Sequence, residues 1–344
     1  MPPRITFFVE LATPELTKLF ADPRVADFLA GGAYALSMGI LDLTPERAAI
    51  VRDLEQRGVP VTAWLLLDNA DGYWLNADNP EQGAARYRET AEWAAREGLQ
   101  LHRIGLDIEF PREMGKQFYQ NPKRAIWNAF RQRRSFGEVY ASETAYAALV
   151  DEIRSGGRTV ESYHFPYLID ERASGRALLR RCLALVNVRV DVEVFMLYAS
   201  YLGRSRAHSY FPEAEAIALG VTGGGVNADE PREATLLLSW ERLQEDLLAA
   251  SRHSDQLYVF SLEGCVWHDF LPRFASIDWN VLADPTEGAG VTRARRQRRW
   301  FRWALHTEPL ADLLLPSSRR RADHVDAIEE VDELQPESQE IPRQ

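Results

Sequence analysis

The sequence predicts an α/β fold, a single (β/α)8 TIM barrel with a basic amphipathic C-terminal helix and a disordered acidic tail. Three observations carry this expectation. Strand-like and helix-like segments alternate almost from end to end, with eight strands in about 280 residues, which is the arithmetic of a (β/α)8 barrel. The strands are apolar on one face and less so on the other. A chain of 344 residues is longer than a typical domain but ordinary for one barrel. A doubly wound open sheet would give the same alternation, but its strands would read as apolar on both faces.

The strands are expected at 4–10, 33–41, 59–67, 101–109, 159–165, 192–199, 217–222 and 256–262. Helices are expected between them, at 14–29, 44–57, 80–97, 117–134 with 142–155, 168–185, 239–253 and 265–275. Several have start signals. Thr13-Pro14-Glu15, Thr44-Pro45-Glu46 and Asn79-Pro80-Glu81 each place a capping residue before a proline at the first helical position. Ser239-Trp240-Glu241 is a further cap.

Residues 291–305 read as a helix in which Arg293, Arg295, Arg296, Arg298, Arg299 and Arg302 interleave with Trp300, Phe301 and Trp303. Such a helix could meet an anionic surface. The favoured expectation is plainer: it closes the barrel, with Trp and Phe on the core and Arg in water. The barrel is expected over 1–315. From Pro316 onward there is no aromatic residue and charge is dense, so 316–344 is expected to be a disordered charged tail.

Composition excludes several classes. A net charge of -11 argues against general nucleic-acid affinity. No run approaches the length of a membrane span, and Met1-Pro2-Pro3-Arg4 leads directly into a strand without a signal-peptide pattern. Two cysteines, Cys182 and Cys265, make no disulfide framework. A cytoplasmic protein is the expectation. Oligomeric state is not legible.

The most informative stretch is Arg103-Ile104-Gly105-Leu106-Asp107-Ile108-Glu109-Phe110-Pro111. Ile104, Leu106 and Ile108 fall on one face; Arg103, Gly105, Asp107 and Glu109 fall on the other. Two carboxylates at i and i+2 lie about 6.5–7 Å apart along a strand. They are expensive to bury unless their face opens on a polar cavity. The same pattern recurs. Thr6, Phe8 and Glu10, then Trp64, Leu66 and Asp68, then Val259, Ser261 and Glu263 each end in an acid just before a loop. Barrel active sites form at that C-terminal rim, so one shared acidic site is expected there. Glu109, nearer the rim, is placed as general acid, with its pKa raised by burial and by Asp107. Asp107 and Glu263 are the auxiliary or nucleophilic carboxylates. The structural alternative is an ion pair of Asp107 or Glu109 with Arg103.

Other residues are candidates for holding substrate. The loop 68–79 presents Tyr73 and Trp74 among Asp and Asn residues, a mixture that suits a sugar, or equally a plug for the barrel mouth. His164 ends the fifth strand, although a lone His is more often structural. Tyr198 and Tyr201 follow the sixth, where core packing competes with a binding role. Gly223 and Gly224, in Gly220-Val221-Thr222-Gly223-Gly224-Gly225, follow the seventh. Backbone N–H groups there bind phosphate in many barrels, but a tight turn or flexible lid is the simpler reading. Cys265 is read as a small buried hydrophobe.

Gly105-Leu106-Asp107-Ile108-Glu109 resembles the acidic end of the fourth strand in barrel glycoside hydrolases of families 18 and 25. The resemblance spans about six residues. Family 18 places its acid two residues beyond its last Asp, where this chain has Pro111, so only the family 25-like Asp-x-Glu spacing carries over, onto Asp107 and Glu109. It implies a glycoside hydrolase acting on a small-molecule or oligosaccharide substrate, without cofactor or metal. The competing expectation is a metal-dependent sugar or sugar-phosphate isomerase or epimerase, with Glu10, Glu109, His164 and Glu263 as ligands. A third is a carbohydrate-binding barrel without catalysis.

Overall fold

The computed structural model describes residues 2–225, 237–281 and 288–315. Eight parallel strands close into a barrel in chain order: β1 (Arg4–Val9), β2 (Ala35–Ile40), β3 (Val61–Leu65), β4 (Arg103–Ile108), β5 (Thr159–His164), β6 (Val192–Met196), β7 (Ala216–Gly220) and β8 (Gln256–Phe260). The ring closes where β1 pairs with β8, Ile5 opposite Leu257 and Phe7 opposite Val259. No open edge remains, and the doubly wound alternative falls. No described helix is long and apolar enough to cross a membrane. The tail expected at 316–344 lies outside the described residues.

Strand parity separates two cores. Ile5, Phe7, Val9, Ile104, Leu106 and Ile108 pack outward against the helices. Phe8, Trp64, Tyr163, Val194, Ala216, Ala218 and Tyr258 fill the interior. Phe8 sits at the centre, with ring centroids 4.9 Å from Tyr163 and 5.3 Å from Trp64. Small residues make room for these rings. A Cβ on Gly105 would stand 2.4 Å from the Tyr163 hydroxyl oxygen. That hydroxyl instead meets the Ser37 hydroxyl at 2.7 Å. The interior is therefore a packed aromatic floor, with the strand C-termini above it.

Four expected helices are broken: the one at 168–185 ends its first half at a left-handed Gly175, the one at 265–275 divides into Leu262–Trp267 and Leu271–Phe274, and proline explains the other two. The helix at 14–29 is two, Thr13–Phe20 and Pro23–Gly31, the second capped by Asp22, whose side chain accepts the Arg24 N–H. The segment 117–134 divides into Arg112–Gln120 and Pro122–Arg131, with Asn121 capping the latter. In each case proline at the first helical position suits a start and not a continuation. The Thr44 and Ser239 caps form as the sequence indicates. Thr13 does not cap; its hydroxyl donates to Asp42 at 2.7 Å.

The arginine-rich helix, Ala289–Leu305, departs in part from its expected orientation: Arg293, Arg296 and Arg299 are exposed and Phe301 packs on Tyr167 as expected, but the indoles and Arg298 are exchanged. Trp300 and Trp303 are 65% and 64% exposed, whereas Arg298 is only 6% exposed. Arg298 and Arg302 both donate to the buried Asp170, and the Arg298 guanidinium lies 3.6 Å over the Tyr210 ring. A buried carboxylate on the neighbouring helix Tyr167–Ser174 outweighs the hydrophobic pull of two indoles.

Candidate active site

Six strand ends and loops, those of β1, β3, β4, β6, β7 and β8, meet at the C-terminal mouth. Trp64, inside β3, donates its indole N–H to Asp107 Oδ2 at 3.0 Å. Asp107 is 1% exposed and its other oxygen has no partner with a conventional donor. Glu109 is close enough for the two carboxyls to act on each other, and both are raised well above the usual carboxylate range, first by burial, then Asp107 by the charge of Glu10 and Glu109 by the charges of Asp107 and Glu10. The i and i+2 side chains converge because β4 ends at Ile108, before Glu109. Arg103 is not their counter-ion. It lies at the other end of the strand and pairs with the buried Glu161 at 3.4 Å.

The loop after β3 delivers an unexpected group. Asp68 would point inward by parity, but β3 ends at Leu65, and Asp68 instead precedes the short turn Asn69–Asp71, exposed to solvent. Its backbone carbonyl accepts the N–H groups of Asp71 and Tyr73. Tyr73, at φ +67°, then swings into the mouth and donates its hydroxyl to Glu10 Oε1 at 2.6 Å. The loop is zipped onto the end of β4: Leu75 N–H donates to the Asp107 carbonyl at 2.9 Å, and Glu109 N–H to the Leu75 carbonyl at 3.0 Å. Asn79 does not cap its helix by side chain. It pins this loop, donating to the Asp71 and Trp74 carbonyls and accepting the Asn76 N–H. Trp74 stands edge-on to Tyr73, with ring centroids 5.5 Å apart.

Glu263 is not at the end of β8 but in the first turn of the helix Leu262–Trp267, and it still faces inward. It is 0% exposed. Its Oε1 accepts the Glu10 N–H at 3.3 Å and the Gly225 N–H at 3.0 Å, while Oε2 is buried without a partner. Burial pushes its pKa up to about 7. Gly264 leaves no space above it; a Cβ there would meet the Thr222 carbonyl at 2.4 Å. The glycine run earns its place by closeness: a Cβ on Gly224 would lie 2.4 Å from Glu263 Oε1, and one on Gly225 would lie 2.6 Å from Glu10 Oε2. The Gly223 carbonyl accepts the Ser261 hydroxyl.

Tyr198 completes the ring. Its hydroxyl is raised well above the usual range by burial and by the charges of Glu109, Asp107 and Glu10. Its ring centroid lies 6.0 Å from that of Phe260 and 6.2 Å from that of Tyr201, which is exposed. Phe110 and Phe165 stack at 4.9 Å. His164 does not join. It has the opposite parity to the inward-facing Tyr163, lies against Phe195 in the outer core, and burial lowers its pKa to about 4. Among the described residues, no three His, Cys, Asp or Glu side chains converge as a set that could hold a metal ion.

The structure thus gathers Glu10, Tyr73, Asp107, Glu109, Tyr198, Glu263 and Gly224, with Trp74 and Gly223 beside them, and leaves out Asp68 and His164. The sequence reasoning missed Trp64 and Gly225. Trp64 was findable: it shares the inward parity of β3, and a buried indole N–H needs an acceptor.

Neither a protein-family model nor a curated protein matches the sequence. Similar solved structures include an L-ribulose 3-epimerase, at 15% identity over 94% of this chain and 98% of that chain, with a TM-score of 0.41. The PgaB (BpsB) glycoside hydrolase domain from Bordetella bronchiseptica matches at 10% identity, over 80% of this chain and 99% of that one, with a TM-score of 0.48. The 3-keto-D-glucoside 4-epimerase YcjR from E. coli matches at 14% identity, over 78% and 99%, with a TM-score of 0.44. At these values the likeness reaches no further than the barrel.

Proposed function

We propose that this barrel is an enzyme that hydrolyses a glycosidic bond, with Glu109 as the general acid. One observation carries the proposal: Asp107 and Glu109 stand together at the β4 end in the barrel mouth with no arginine or lysine among the described residues paired to either, and burial raises both carboxyls well above the usual range. A carboxyl with a raised pKa is what protonation of a leaving oxygen requires. Glu109 gives its proton to the glycosidic oxygen. The C–O bond breaks with its electron pair on that oxygen. Positive charge grows on the sugar carbon and ring oxygen, beside Asp107. Water adds to the carbon and yields its proton to a carboxylate.

Asp107 and Glu109 come from the same strand end and lie on the same side of the mouth, whereas paired catalytic carboxyls face each other across the sugar about 5–9.5 Å apart. Asp107 therefore holds and tunes the acid, and Glu263 or Glu10 supplies the carboxylate opposite. Trp74, Tyr198 and the Phe110–Phe165 stack offer rings for a sugar's C–H face.

The test is reducing-end release from a panel of oligosaccharides, without added metal. On a cleaved substrate, Glu109→Gln should lower turnover by about 10²–10⁴-fold with little change in binding. Full activity in that variant would end the assignment. The isomerase reading is weakened because His164, its one nitrogen ligand, faces the helices. A loss of turnover on chelation, restored by a divalent metal, would revive it.

A further inference from the structure

We propose that the outer wall formed by the helices Pro122–Arg131, Ala289–Leu305 and Glu308–Leu314 is a docking surface for an anionic lipid bilayer, on which this chain rests without crossing it. The proposal is independent of the chemistry at the barrel mouth.

The first ground is apolar surface left in water. Within residues 300–315, Trp300, Trp303, Leu310, Leu313, Leu314 and Leu315 are all between 47% and 77% exposed. The helix Glu308–Leu314 turns its two acids inward, Glu308 to Arg181 and Asp312 to Arg133. Helical spacing then leaves Leu310, Leu313 and Leu314 together on the outward face. Trp300 and Trp303 meet edge-on, 6.0 Å between ring centroids, on the side of their helix away from Arg298. Exposed Ile126 and Trp127 extend this surface onto Pro122–Arg131. The link is direct: Trp127 stacks on Phe130, the Arg133 guanidinium lies 4.5 Å over the Phe130 ring, and Arg133 donates to the Leu315 carbonyl at 2.6 Å. Exposed apolar side chains gathered in this way mark an interaction site.

The second ground is charge. Pro122–Arg131 and Ala289–Leu305 contain no Asp or Glu. The ion pairs of Ala289–Leu305 belong to Arg298 and Arg302, while Arg293, Arg296 and Arg299 stand exposed at helical spacing from the two indoles. Lys123 and Arg124 are exposed beside Ile126 and Trp127. In a chain of net charge -11, the outward faces of these helices thus hold cations and no acid, and an anionic partner fits them. The leucines decide which anion. Arginines and indoles would suit a nucleic acid, but Leu310, Leu313 and Leu314 give a base nothing to stack on. A second copy would bring the same cations to the contact and no acid to meet them. The segment 316–344 has no aromatic residue and little apolar surface to cover two indoles and four leucines. A leaflet with anionic headgroups takes all three kinds of side chain: leucines below the headgroups, indoles at their level and arginines at the phosphates.

The experiment is sedimentation of the full chain with vesicles of phosphatidylcholine alone, or of phosphatidylcholine and phosphatidylglycerol in equal parts. Binding should be about tenfold or more tighter to the anionic vesicles and should weaken with added salt. Trp300→Ser with Trp303→Ser should lower the affinity by about tenfold or more. Arg293→Gln, Arg296→Gln and Arg299→Gln together should remove the preference for anionic vesicles. These side chains are exposed, so both variants should melt as the parent does. Should either fail to fold, Leu313→Ser with Leu314→Ser takes its place, again with a loss of about tenfold expected. Absence of binding to anionic vesicles overturns the proposal. So does equal binding to neutral ones, or binding that survives these substitutions. Binding that appears only when residues 316–344 are removed overturns it and gives the face to that segment. A dimer that the two tryptophan substitutions abolish and anionic vesicles do not displace overturns it in favour of a second copy. Tighter binding of an oligodeoxythymidine than of the anionic vesicles, lost with the same indoles, overturns it in favour of a single-stranded nucleic acid.

Discussion

Carboxylates are buried in two quite different ways in this molecule. On the outer wall, Asp170 receives Arg298, Arg302 and the Tyr210 hydroxyl, Glu171 receives Arg180, and Glu308 receives Arg181. At the mouth, Asp107 receives an indole and a second carboxyl, and Glu263 receives two backbone amides. The outer acids are neutralised by guanidinium groups and hold helices together. The inner acids have neutral partners, and burial raises them above the usual carboxylate range. Burial alone does not mark a functional acid in a chain with this many arginines; burial without an arginine does.

That contrast can be broken by mutation. Removing one arginine from the outer wall should be the more damaging change. Arg298→Ala leaves Asp170 buried with only part of its compensation, and a loss on the order of 3–5 kcal/mol is expected. Chemical denaturation measures it; a loss below about 1 kcal/mol would mean that the outer acids tolerate burial as the inner ones do.

The inner acids should behave in the opposite sense. Burial raises the folded pKa of Glu263 from its ordinary value to about 7. Its protonated form therefore supports the fold fully below the ordinary carboxylate range, and that support is lost as pH rises through about 7. Melting temperature should fall between pH 5 and 8, and Glu263→Gln should flatten the fall, gaining on the order of 1–3 kcal/mol at pH 8. Acids such as Asp312 and Glu193 are lowered, by hydrogen bonds to arginines that outweigh burial, and their contribution is lost on acidification instead. A variant that melts with the same pH dependence as the parent would remove the distinction.

Trp64→Phe sharpens the comparison further. It removes the one conventional donor to Asp107, so the aspartate pKa should climb further and stability should drop by about 0.5–1.5 kcal/mol. A pH–rate profile and a melt together read both effects. The smallest effect belongs to the end of the chain. Residues 316–344 are poor in apolar surface, and deleting them should leave the melting temperature nearly unchanged. A loss of several degrees would show that they pack.

The barrel and three of its acids were legible because both follow from a period of two, whereas the parity that linked Glu263 to Val259 on the eighth strand was wrong, since Val259 packs outward and Tyr258 inward. Glu10, Asp107 and Glu109 lie on the inward parity at strand ends, and Glu263 reaches the same mouth from the next turn of chain. Parity fails where the strand stops early: Asp68 lies three residues past the end of β3, so a turn and not a pleat decides where it points. His164 failed because its inward-facing neighbour is Tyr163. The arginine helix was misread because its partner, Asp170, is 128 residues away from Arg298. Helical periodicity records which residues share a face, not which face has a buried ion waiting for it.

Gly105 has a consequence for traffic. By omitting one carbon it lets Tyr163 cross the barrel, and with Phe8, Trp64 and Tyr258 this seals the vessel from below. The mouth is then both entrance and exit. On the proposed hydrolase reading, substrate, attacking water and departing products would take turns at a single doorway, with a bound sugar between the bulk solvent and the acids beneath it.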